Sequence, residues 1–163
     1  MRITIELDGR TVTEDVAPGE TLLEYLRRRG TVSVKDGCST GDCGACSVLL
    51  DGRAVTSCLV FAAQVDGRTI RTVESLADDS GLHPLQQALL DAGGVQCGFC
   101  TPGMLVAAMD LLTRNPDPSE AEIRTGLEGN LCRCTGYVKI VEGVQAAARS
   151  LAASAERGET DDG

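Results

Sequence analysis

Apolar and polar positions alternate at the start of the chain. Ile3, Ile5 and Leu7 are separated by polar residues, the period of a strand with one buried face. Asp8-Gly9 reads as a two-residue turn and residues 12–16 as its return strand. Pro18-Gly19 breaks the pattern. Thr21, with Glu24 three residues on, is a capping box that opens a helix over residues 22–29, with Leu22, Leu23 and Leu26 on one face and Gly30 at its end. Residues 47–50 and 53–57, around Asp51-Gly52, predict a second hairpin. Residues 59–65 and 69–73, around Asp66-Gly67, predict two further extended runs.

From about residue 76 the period changes to that of helices. Pro84 stands where a first helical turn tolerates it, and Leu85, Leu89 and Leu90 follow. Pro102-Gly103 precedes an apolar helix over 104–113, whose stripe of Met104, Leu105, Ala108, Met109 and Leu112 reads as core. Asn115-Pro116-Asp117-Pro118 interrupts it. Ser119 and Glu122 form a second capping box, and a last helix is expected over 137–153. Four helices suggest a small bundle. The expected class is α+β, with a β-rich domain over 1–75, a helical domain over 76–153 and a disordered acidic tail over 154–163.

Composition sharpens this picture. The 163 residues include two Phe, two Tyr and no Trp, so the large rings that dominate many cores are nearly absent. Two small modules, each needing a staple, fit better than one large core. The net charge of −9 argues against a nucleic-acid or anionic-membrane partner, since both require a basic footprint. No apolar stretch is long enough to span a bilayer, and the strand-like start lacks the apolar run of a signal peptide, so a cytoplasmic location is expected. In that reducing setting the eight cysteines point to metal or redox work rather than to disulfides.

The cysteines fall into two sets of four. Cys38-x4-Cys43-x2-Cys46, with Cys58 further on, is the spacing of plant-type 2Fe–2S proteins. A short loop can wrap a binuclear cluster and supply three thiolates, while the fourth comes from a separate segment. Gly37, Gly41 and Gly44 would give that loop its backbone freedom, and peptide N–H groups aimed at sulfur would favour the reduced state. The β-rich segment around the loop resembles the β-grasp fold of plant-type ferredoxins. Cys97-x2-Cys100 and Cys132-x-Cys134 form the second set, which has neither the plant-type nor the bacterial 4Fe–4S spacing. Spacing alone leaves iron–sulfur and four-cysteine zinc both open there. The single histidine, His83, excludes by count a paired-histidine finger and a Rieske centre, and its place before Pro84 reads as a helix start.

Together, GCSTGDCGACSVLLDG (residues 37–52), LHPLQQAL (82–89), QCGFCTPGM (96–104), NPDPSEAEIR (115–124) and GNLCRCTGY (129–137) resemble the two-cluster iron–sulfur subunit of the xanthine oxidase family of molybdenum hydroxylases. The resemblance implies an N-terminal plant-type ferredoxin β-grasp domain followed by a four-helix 2Fe–2S-binding domain. It implies Cys38, Cys43, Cys46 and Cys58 as ligands of a cluster distal to molybdenum, and Cys97, Cys100, Cys132 and Cys134 as ligands of the proximal one. It further implies that Gln96 and Cys134 lie against the molybdopterin cofactor of a large partner subunit, and that a medium subunit carries FAD, in a dimer of heterotrimers. The expected role is a non-catalytic electron relay of an oxidoreductase, from molybdenum through two 2Fe–2S clusters to FAD or an external acceptor. A free-standing ferredoxin-like carrier and a non-redox zinc scaffold are the rival functions. Leu89 departs from the family pattern, which usually has an aromatic residue there, and the 28–36 stretch is short for it.

Overall fold

The computed structural model describes residues 1–78 and 81–158. Strands β1 (Arg2–Leu7), β2 (Arg10–Asp15), β3 (Ser47–Leu50), β4 (Arg53–Thr56) and β5 (Thr69–Arg71) form one mixed sheet in the order β2-β1-β5-β3-β4. Among the described residues only the β1–β5 pairing is parallel. The predicted alternation is realised in β1, where Ile3, Ile5 and Leu7 are buried and the residues between them exposed. Asp8 (φ 49°) and Gly9 (φ 78°) take the two left-handed positions that a tight hairpin turn demands. Helix α1 (Leu22–Arg28) lies in the grasp of this sheet, started by the Thr21–Glu24 capping box. Leu22, Tyr25 and Leu26 are completely buried with Val48 and Ile70 in a first core.

The second half consists of α2 (Pro84–Asp91), α3 (Thr101–Arg114), α4 (Glu120–Leu127) and α5 (Val138–Gly158). They enclose a second core around Leu85, Met104, Ile123, Ile140 and Ala147. Helices α2 and α5 approach closely because Gly143 has no side chain: a Cβ there would come within 3.0 Å of the Leu89 Cα. Leu89, buried between Gly143 and Gly94, fills that narrow space. The α3 stripe is core as expected, with Met109 only half-buried. Replacing Leu85 by Ala in this core is expected to cost about 2–5 kcal/mol, read as a fall in the denaturant midpoint of the helical half.

Two expectations need correcting. Residues 59–65 do not form one extended run; two 3₁₀ turns, Ser57–Leu59 and Ala62–Val65, leave only Val60 and Phe61 extended between them, with Phe61 bridged to Thr21. The Val60 carbonyl and the Ala62 N–H pair with Leu22 and Glu20 instead of with a strand, and the Gln64 N–H closes on the Phe61 carbonyl. The bend also carries Cys58 back to the cysteine loop, where the Ser57 hydroxyl donates to the Cys46 carbonyl at 2.8 Å. Helix α5 continues to Gly158, beyond the end expected at 153, so the first residues assigned to a disordered tail are helical. The remainder of that tail, 159–163, lies outside the described residues.

The halves are joined directly. Arg53 on β4 donates to Asp110 on α3 at 3.1 Å, and Arg114 holds the other carboxylate oxygen at 3.0 Å. The Leu131 N–H donates to the Cys43 carbonyl at 2.9 Å.

Candidate functional site

The first cysteine loop joins α1 to β3. Its neck is closed by the Lys35 N–H on the Ala45 carbonyl at 3.1 Å. Gly41 and Gly44 take the positive φ values expected of the loop (84° and 68°), whereas Gly37 does not. Gly37 serves by its lack of a side chain, since a Cβ there would crowd the Cys43 sulfur at 2.8 Å. Cys46 and Cys58 are buried, and Cys38 and Cys43 are half-buried.

The second set is brought together by tertiary structure. Cys97 and Cys100 sit in the turn before α3, and Cys132 and Cys134 in the loop between α4 and α5. The Cys132 N–H donates to the Tyr137 hydroxyl at 2.9 Å, which pins this loop to the start of α5. Cys97 and Cys134 are exposed, and Cys100 and Cys132 are half-buried. Gln96 is exposed beside them, with Phe99, Leu131 and Val138 also solvent-facing. His83 stands apart from all of this as the N-cap of α2, its Nδ1 accepting the Leu85 N–H at 3.1 Å.

In the second set the Cys97 and Cys134 sulfurs lie 3.6 Å apart. Cys38 and Cys43, Cys46 and Cys58, and Cys100 and Cys132 are near enough to shift one another's ionisation. All eight are free thiols. Across pairs, the members of a set feel one another's charge: Cys43 feels Cys46, Cys58 feels Cys38, Cys100 feels Cys97 and Cys134 feels Cys132.

Backbone amides aim at these sulfurs. The Thr40 N–H lies 3.4 Å from the Cys38 sulfur, and the Thr135 and Cys134 N–H groups lie 3.4 and 3.5 Å from the Cys132 sulfur. The thiols respond as physical chemistry requires. The Thr40 hydroxyl and N–H lower the Cys38 thiol to about 6. Burial alone would raise Cys132, but the Thr135 hydroxyl and the two N–H groups outweigh it and bring that thiol to about 7. Burial, then the neighbouring Cys46 thiol, push Cys58 up to about 11. Burial, then Cys132, push Cys100 up to about 12.

These directions predict an order of reactivity in iron-free protein. At about pH 7 a short iodoacetamide pulse is expected to label Cys38 first and Cys100 last, because only the thiolate attacks. Labelling of Cys38 should fade as pH falls through about 6, where its thiolate is protonated. Mass mapping of labelled peptides checks both.

The donor set fits a binuclear centre. Four thiolates per set match the ligand count of a binuclear iron centre, two for each iron. Four adjacent thiols cannot all ionise without positive charge between them, which iron supplies.

The fold and these two sets define a two-module 2Fe–2S protein. Residues 5–77 match the family described as "2Fe-2S iron-sulfur cluster binding domain", and residues 72–145 match "[2Fe-2S] binding domain". The nicotinate dehydrogenase small FeS subunit of Eubacterium barkeri is 48% identical over 92% of this chain and 96% of its own length. The xanthine dehydrogenase iron-sulfur-binding subunit of Escherichia coli O157:H7 is 49% identical over 87% and 92%. The crystal structure of quinoline 2-oxidoreductase from Pseudomonas putida 86 superposes with a TM-score of 0.89 at 41% identity, covering 92% of this chain and 94% of that one. The chain belongs to the small 2Fe–2S subunits of the xanthine oxidase family of molybdenum hydroxylases.

Motif reading missed the supporting residues. Thr135 and Tyr137 orient Cys132, and Asn130 joins the two cysteine loops. The one sequence signal for them was their place next to the Cys132–Cys134 pair.

Proposed function

We propose that this chain relays electrons for a molybdenum hydroxylase, with Cys38, Cys43, Cys46 and Cys58 holding one 2Fe–2S cluster and Cys97, Cys100, Cys132 and Cys134 the other. The observation that carries the reading is the gathering of the eight thiols into two sets of four whose members shift one another's ionisation, with amides directed at sulfur. When bound, each cluster accepts and releases one electron at a time. The chain's own residues do the rest. The cysteines hold iron, the amides of Thr40, Cys134 and Thr135 favour added negative charge on sulfur, and the first core keeps water from Cys46 and Cys58.

In this reading the exposed end of the second set is the electron entrance. Gln96 and Cys134 meet the molybdopterin cofactor of a large subunit there, and their exposure supports a contact made by another chain. The first set delivers electrons to FAD on a medium subunit or to an external acceptor, and the assembly is a dimer of heterotrimers. The functional division follows the two cores, a ferredoxin-type domain over 1–75 and a helical domain over 76–153. Cysteines that hold metal rather than form disulfides fit a reducing, cytoplasmic setting. Among the described residues no helix is long and apolar enough to cross a membrane. The substrate pocket would lie on the large subunit, so this chain does not select the substrate.

Anaerobic purification from a host expressing the neighbouring subunits tests the reading. The expected product is brown, holds four irons per chain, gives two EPR signals after reduction and elutes with larger molybdenum and flavin subunits. A colourless zinc protein would overturn the relay, and a brown protein that runs alone would leave a free-standing carrier.

A further inference from the structure

We propose that Asn130 is a positioning residue: its carboxamide ties the first cysteine loop to the segment bearing Cys132 and so sets the separation across which electrons pass between the two sets. This rests on the reading above that each set holds a cluster.

Asn130 is 6% exposed. Its Nδ2 reaches 86 residues back to donate to the Gly44 carbonyl at 3.0 Å, and it lies 3.4 Å from the Ser47 hydroxyl. Gly44 follows Cys43, and Asn130 stands two residues before Cys132. The next residue, Leu131, donates its N–H to the Cys43 carbonyl at 2.9 Å. One hydrogen bond and a short run of backbone therefore separate a cysteine of the first set from a cysteine of the second. Gly103, three residues after Cys100, completes the joint. A Cβ there would collide with the Gly44 carbonyl and approach the Asn130 Nδ2 at 3.0 Å. Segments carrying Cys43, Cys100 and Cys132 thus meet closely, with the Asn130 amide in contact with the Gly44 carbonyl at their junction.

Satisfying a lone carbonyl does not explain this residue. The Gly44 oxygen already accepts the Ser47 N–H at 3.1 Å and the Ser47 hydroxyl at 2.8 Å. What Asn130 adds is a link between chain segments distant in sequence. It does so with a neutral group, which places no charge between two centres that each gain negative charge on reduction. Tunnelling and spin–spin interaction both fall steeply with distance, so a joint at this point acts on the relay itself.

The test uses the holoprotein with full iron content. Wild type is expected to show spin–spin splitting of its two EPR signals when fully reduced, and fast electron exchange between the sets after flash reduction. Asn130→Ala should lose splitting and slow the exchange, while each signal keeps its own g values at partial reduction. Asn130→Asp, equal in size but without the donor, should behave like Asn130→Ala. Arg53→Ala is the control, because it breaks the Arg53–Asp110 tie between the halves and bonds to neither cysteine loop. It should lower the unfolding midpoint and leave splitting and exchange unchanged.

Unchanged splitting and exchange in Asn130→Ala, or wild-type behaviour of Asn130→Asp, would overturn the proposal. If Asn130→Ala does not retain its iron, Asn130→Ser is measured in the same way, and unchanged splitting there has the same meaning. A wild type lacking two iron–sulfur signals would instead count against the relay reading as a whole.

Discussion

Cys43→Ala is expected to halve the iron content, from four atoms per chain to two, and to abolish one of the two EPR signals. Cys43 lies near enough to Cys38 and Cys46 for their thiols to shift one another's ionisation, and in the proposed ligand set its loss would leave one iron with a single protein thiolate. The effect should spread beyond the metal. Cluster binding is coupled to folding, and the loop that Cys43 anchors feeds directly into β3, beside the first core. Thermal unfolding followed at the remaining cluster and by far-UV circular dichroism should show the β half melting earlier than in wild type. Retention of both signals with full electron transfer would mean that Cys43 is not a ligand.

The second large effect is expected at Gly44. Its φ of 68° lies in the left-handed region, and a Cβ would meet the Gly129 carbonyl and the Asn130 side chain, whose Cγ would be 2.7 Å away. For Gly44→Ala the left-handed backbone costs roughly 1–2 kcal/mol. Forcing a methyl into a filled joint adds about 1–3 kcal/mol. The sum corresponds to a fall in Tm of roughly 4–20 °C for a chain of this size. Gly52→Ala separates the two causes. Gly52 has φ 81° but nothing within 4 Å of an added Cβ, so only the backbone cost applies. Equal losses in the two variants, measured by thermal unfolding at matched iron content, would show that Gly44 is not part of a tight joint.

Features encoded within a few residues were legible without coordinates. The Thr21–Glu24 and Ser119–Glu122 capping boxes both form, with the serine and threonine hydroxyls accepting the N–H groups of their paired glutamates. Both depend on contacts three residues apart, which any helix start brings within reach. The Asp8-Gly9 and Asp51-Gly52 turns were readable for the same reason. Residues 59–65 misled because their apolar content suits a strand, yet the segment pairs with Glu20 and Leu22 rather than entering the sheet. Hydrophobic pattern reports burial, not the partner that satisfies the backbone.

Most of the elements in their order, the separation into two cores and the grouping of the cysteines four and four were legible in the sequence, because turns, caps, periodicity and thiol spacing act over short stretches of chain. Only the tertiary structure brought the halves of the second set together. Cys97 meets Cys134 at 3.6 Å, sulfur to sulfur, across a helical hairpin whose closure is a matter of packing. It also decided how the sets face one another, through Asn130, Leu131 and Gly103 against the loop around Gly44. Contacts between residues some 86 positions apart leave no local pattern, since they exist only once both cores have formed.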